Sequence, residues 1–81
     1  MRIVWDEPKR LANLDKHEID FADIGEEFFL SALVGPAKGG RWFAIGEIDQ
    51  VIVVIFAMLG SEGLSIVSAR PASRQERMQL R

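Results

Sequence analysis

Arg70, Ser73, Arg74, Glu76 and Arg77 fall within one short span of this 81-residue chain, where an apolar run ending at Ala69 gives way to a charged segment. Guanidinium groups pair with oxyanions through two parallel N–H donors, so arginines gathered at the end of a rigid strand are suited to holding an anion such as a phosphate. Residues 70–81 carry four arginines against Glu76 alone, a local charge of +3, while the rest of the chain carries six basic and eleven acidic residues. Such asymmetry steers an anion to one end of a molecule; a solvated terminal helix has the same composition. Ser73 and Glu76 also stand at the Ser-x-x-Glu spacing of a capping box, a structural role that explains both residues without chemistry and is compatible with it. A second polar group, Lys9, Asn13, Lys16 and His17, has the spacing of one helical face. It reads either as a solvated stripe or as a site in which His17 supplies a proton near neutral pH.

The elements that must position these residues can be traced along the chain. Ile3-Val4-Trp5 is expected to form a short strand. Asp6 then caps a helix from Glu7 to Lys16, with Pro8 in its first turn and Leu11 and Leu14 facing inward. A second helix is expected from Ala22 to Leu30, packing Ile24 and Phe28, with Asp20, Asp23, Glu26 and Glu27 as a solvated acidic face rather than a metal site. Ala32-Leu33-Val34 reads as a short strand, and residues 35–40 as a loop whose glycines lack the Gly-Lys-Ser/Thr ending of a phosphate-binding loop.

Three strands follow: Arg41 to Ile48, Val51 to Phe56 and Leu64 to Ala69, joined by turns at Asp49-Gln50 and at residues 60–63. Their short connections make them an antiparallel meander. The middle strand is apolar on both faces, as for a central strand covered on both sides or paired to a partner. Pro71 keeps Arg70 extended, and simple alternation then places Arg70 on the same side as Leu64, Ile66 and Ser68. An arginine closing such a row must reach out to solvent or find an anion. The last helix starts at the Ala72-Ser73 step.

Length predicts a single domain over residues 1–81, burying roughly 60% of its unfolded surface. With no cysteine, disulfides and Cys-ligated zinc are excluded. Asp6, Glu7, Lys9 and Arg10 interrupt any early apolar run, so no signal peptide is expected, and Val51 to Leu59 is too short for a membrane-spanning helix. A cytoplasmic protein is expected. The net charge of −2 argues against a simple nucleic-acid clamp.

Taken together, the motifs resemble the BrnT toxin family of type II toxin–antitoxin systems. The resemblance rests on Val4-Trp5-Asp6, Lys9, Asn13, Lys16-His17 and Phe21, then Arg41 and Ile45-Gly46, then Ile66, Ser68-Ala69-Arg70, Ala72-Ser73 and Glu76-Arg77. It spans almost the whole chain, and the two motif halves in this order are a specific signal. The sequence departs from the family pattern at Glu18, where glycine is usual, in lacking an aromatic residue after Arg77, and in its acidic balance. The resemblance implies a RelE-like α+β fold: a small antiparallel sheet, made of the three-strand meander plus short N-terminal strands, with two N-terminal helices and one C-terminal helix. It implies an RNA-cleaving toxin neutralised by a BrnA-like ribbon-helix-helix antitoxin, with operator DNA bound only through the complex. A homodimer within a heterotetramer is one assembly it allows.

RNA self-cleavage needs a base near the 2′-hydroxyl, a cation for the developing charge and an acid for the leaving oxygen. On the family reading Glu76 is the candidate base, Arg70 and Arg77 the phosphate clamps, and His17 an acid or base. Lys9, Lys16, Arg41 and Arg74 attract the RNA backbone, and the scheme needs no metal or other cofactor. Structural alternatives stand beside these roles: a helix C-terminal interaction for His17 and a surface ion pair for Arg77. A different class of function is a non-catalytic module that binds the antitoxin as a co-repressor and has a degenerate active site. Direct sequence-specific DNA binding is weaker, because no long helix here has a basic face.

Overall fold

The computed structural model describes residues 1–80. Five strands, β1 (Arg2–Trp5), β2 (Leu33–Pro36), β3 (Trp42–Ile48), β4 (Gln50–Leu59) and β5 (Gly63–Pro71), form one sheet in the order β1-β5-β4-β3-β2. Helices α1 (Glu7–His17), α2 (Glu26–Ser31) and α3 (Arg74–Met78) complete the α+β fold. The meander β3-β4-β5 is antiparallel as expected, and β2 adds antiparallel to β3. The sheet is nonetheless mixed, because β1 pairs parallel to β5, from Arg2↔Gly63 to Trp5↔Ile66. A parallel neighbour requires a long crossover, here everything between β1 and β5, and no local pattern announces it.

α1 and α2 lie on one face of the sheet. Phe21, Ile24, Phe28 and Phe29 pack there against Ala44, Ile52, Val54, Phe56, Leu64, Ile66 and Ala69. Phe29 meets Phe28 and Phe56 edge-on, at centroid separations of 5.3 Å in both cases. Gly46 on β3 makes room for Phe28, whose ring would lie 2.6 Å from a Cβ at that position. The second expected helix is split: a 3-10 turn at Phe21–Asp23 precedes α2, which starts after Gly25. Asp20 ends the linker by accepting the Ala22 N–H, a local side-chain bond that competes with continuous helix. Arg10 on α1 bridges the start of its own helix to this linker, donating to Glu7 and Asp20, so Asp20 belongs to an ion-pair network rather than to a free acidic face.

Two expectations about α1 are corrected. Asp6 occupies the N-cap position without a side-chain cap bond. The inward residue is Asn13, 8% exposed, whereas Leu11 is 52% exposed. The polar stripe is not solvated at its centre, because Asn13 finds two backbone partners inside the protein.

The opposite sheet face carries Phe43, Ile45, Val51, Val53 and Ile55, with Ala72 and Leu80 packed against them from the α3 segment. α3 is short: Ile45 and Val53 are buried beneath its segment, while Phe43, Val51 and Ile55 stay partly exposed. The phenyl ring of Phe43 leans over Gly35 on β2, where a Cβ would come within 2.6 Å of it.

Candidate active site

Arg70 does not stand on the face expected for it. Pairing runs Ile55↔Ser68 and then Phe56↔Ile66, which leaves Val67 as an extra residue on β5. This β-bulge reverses the alternation beyond it. Leu64 and Ile66 before the bulge, and Ala69 after it, all face the helix-covered core. Arg70, paired with Val53, therefore emerges on the α3 face, opposite to Leu64 and Ile66.

There it meets α3. Pro71 ends β5, the Ala72 N–H closes onto the Val51 carbonyl at 2.9 Å, and Ser73 starts the helix. The capping box is complete: the Ser73 hydroxyl accepts the Glu76 N–H at 3.2 Å, and Glu76 Oε1 accepts the Ser73 N–H at 2.8 Å. The same carboxylate accepts two bonds from Arg70, at 2.8 and 2.9 Å, in a bidentate pair. Arg70 also donates to its neighbour's carbonyl on Pro71 at 3.3 Å. The Arg70 guanidinium, aided by the Ser73 donors, holds the Glu76 carboxyl down at about 2, and Glu76 in turn raises Arg70.

Arg77, the second expected clamp, folds back and donates to the Ala72 carbonyl at 3.1 Å. Arg70, Glu76 and Gln79, but not Arg77, edge a groove of about 260 Å³ whose floor is Phe43, Ile45, Val53 and Ile55. A larger hollow of about 480 Å³ elsewhere is lined by Asp23, Glu26, Glu27 and Glu47 and would repel a polyanion.

The other expected site residues are not drawn into this cluster by bonds. His17 ends α1, half-buried, while Lys9 and Lys16 on the same helix are exposed. Arg41 precedes β3 and Arg74 opens α3, both exposed. Among the described residues none of these five makes a side-chain hydrogen bond or ion pair. The two lysines and two arginines among them are surface cations without a carboxylate partner among the described residues. The groove floor of Phe43, Ile45, Val53 and Ile55 is not among the residues singled out by the sequence. Alternation does mark Phe43 and Ile45 as sharing a face, but nothing local tells that Arg70 joins them.

The chain matches the model of a family described as the ribonuclease toxin BrnT of type II toxin–antitoxin systems, over residues 5–76. The chain belongs to the BrnT toxin family. The matched span contains the bulge, Arg70 and the capping box through Glu76, and stops just short of Arg77. Among solved structures, it resembles the 1.1 Å crystal structure of the Brucella abortus ribonuclease toxin BrnT, at 55% identity and a TM-score of 0.85, covering 91% of this chain and 99% of that one. No protein of curated function matches it. As a BrnT toxin the chain is one half of a toxin–antitoxin pair. Among the described residues no helix is long and apolar enough to cross a membrane.

Proposed function

We propose that this BrnT-family chain is a metal-independent endoribonuclease whose phosphate site is the guanidinium edge of Arg70 that Glu76 occupies at rest. The observation that carries the reading is the bidentate Arg70–Glu76 pair at the mouth of the groove. A phosphate presents two oxygens at a spacing that the same guanidinium edge accepts. An entering RNA phosphate thus competes with Glu76 for Arg70. Sharing Arg70 weakens the interaction that holds the Glu76 carboxyl low, so its basicity rises where the 2′-hydroxyl arrives.

The displacement follows. Glu76 takes the 2′-hydroxyl proton, the 2′-oxygen bonds to phosphorus, the bond from phosphorus to the 5′-oxygen breaks, and His17 protonates that oxygen. The products are a 2′,3′-cyclic phosphate and a 5′-hydroxyl. Arg70, joined by Arg77 once it leaves the Ala72 carbonyl, stabilises the extra charge of the transition state. Lys9, Lys16, Arg41 and Arg74 attract the flanking backbone. A basic ribbon-helix-helix antitoxin of the BrnA type neutralises the toxin, and operator DNA is met through that complex. An RNA substrate puts the reaction in the cytoplasm.

The test is cleavage of a defined RNA by purified protein, with wild type compared to Arg70→Ala. Wild-type cleavage and loss of about 100-fold or more in the variant are expected, given what removal of one transition-state donor costs. Undiminished cleavage by the variant would remove Arg70 from the mechanism. A second reading is favoured by the closure of the resting site, with Glu76 held near 2 and Arg77 spent on a carbonyl. On that reading the chain binds its antitoxin as a non-catalytic co-repressor. Complex formation without cleavage of any RNA by the wild type would establish it.

A further inference from the structure

Asn13 is the one buried polar or charged residue among those described. Both ends of its amide are used, and both outside its own helix. Nδ2 donates to the Ile19 carbonyl at 3.0 Å, and Oδ1 accepts the Ala69 N–H at 3.0 Å. The second bond spans 56 residues of sequence. Its place in the sheet gives it meaning. β1 accompanies β5 only as far as Trp5↔Ile66, and past that point β5 has β4 alone beside it. Ala69 lies beyond the end of β1 and is fully buried, so its N–H has no water to turn to. Leaving such a donor unpaired costs about 1–3 kcal/mol. The Asn13 carbonyl oxygen does for Ala69 what a longer β1 would otherwise do.

Ala69 is also the residue on which the bulge turns. Val67 is the extra residue, Ala69 is the first buried side chain after it, and Arg70 follows immediately on the other face. A bulged strand with one bare edge has more than one way to twist, and a slip of one residue would exchange the faces of Ala69 and Arg70. We propose that Asn13 is a positioning residue for the phosphate-binding guanidinium: by holding the Ala69 N–H it fixes the strand segment from which Arg70 reaches Glu76 and the groove. Its consequence for RNA rests on the ribonuclease reading; its consequence for the Arg70–Glu76 pair does not.

Two measurements keep those apart. The first is the titration of the Glu76 side-chain carboxyl by carbon NMR in wild type, Asn13→Ala and Asn13→Asp. The wild-type midpoint is expected near 2. The alanine variant should move up toward the ordinary carboxylate range, and the aspartate variant, which keeps an oxygen facing Ala69, should stay low. A folded alanine variant with an unmoved midpoint would overturn the proposal. So would rapid exchange of the Ala69 amide in the wild-type protein, a measurement that needs no variant to fold.

The second is the affinity for a non-cleavable 2′-O-methyl RNA, in a cycle of Asn13→Ala and Arg70→Ala. Loss of about tenfold from Asn13→Ala in the wild-type background and less than about twofold in the Arg70→Ala background is expected. Equal losses in both backgrounds would mean that Asn13 does not act through Arg70. Absence of wild-type RNA binding would strike the ribonuclease reading, and the Glu76 titration would still decide the role of Asn13.

Discussion

At the scale of single residues the site is an arginine that has already found an anion. Arg70 and Glu76 satisfy each other through a fork that a phosphate could occupy instead. The pair also marks the protein's acid response. Folding holds Glu76 below its ordinary value near 4.5, so its contribution to stability is complete above that range and is lost as pH falls toward about 2. Acid unfolding followed by circular dichroism should therefore show a decline over that window, and Glu76→Gln should flatten it. A different residue shows the opposite kind of local cost. Glu18 closes α1 in the left-handed conformation, at φ 58°, with its N–H bonded to the Leu14 carbonyl. Glycine takes that conformation without penalty. Glu18→Gly is expected to stabilise the protein by about 1 kcal/mol in urea unfolding, because the strain of a left-handed side chain is about that size.

At the scale of elements, the working parts are β5 and the turn into α3. The bulge at Val67 chooses the face on which Arg70 appears, and the capping box holds Glu76 at the right turn of a helix too short to be stable alone. Ser73→Ala should therefore loosen two things at once. The helix loses a cap worth roughly 1 kcal/mol, and the Glu76 titration midpoint rises because a donor that lowers it is gone. On the other face, α2 is seated by Phe28 over Gly46. Gly46→Ala puts a methyl group against that ring and should cost about 1–3 kcal/mol by overpacking, read as a lower urea midpoint with an unchanged slope.

At the scale of the whole molecule, charge and fold act together. A net charge of −2 gives no general pull on RNA, so on the proposed reading attraction depends on the individual cations around Arg70. Binding of a short single-stranded RNA should weaken with salt by about 0.7 in log K per log salt for each phosphate contacted. A slope steeper than about six phosphate contacts would give exceeds what Arg70, Arg77 and the four flanking cations supply, and would contradict the proposed site. The hollow lined by Asp23, Glu26, Glu27 and Glu47 is acidic and would repel a polyanion.

Much of this was legible from residue order alone. The meander, the α+β class, the capping box and the gathering of Arg70, Ser73, Glu76 and Arg77 all follow from local pattern: β-branched alternation, turn residues and a four-residue spacing. These are interactions between near neighbours, and near neighbours are what a sequence displays. Three features came from the folded molecule. The parallel pairing of β1 with β5 joins segments far apart in the chain. The extra residue at Val67 turns Arg70 to the face that carries α3, and strict alternation cannot foresee a bulge because the partner strand defines it. Asn13 is polar and looks like surface; it is buried because Ala69, fifty-six residues later, has an N–H that no strand reaches.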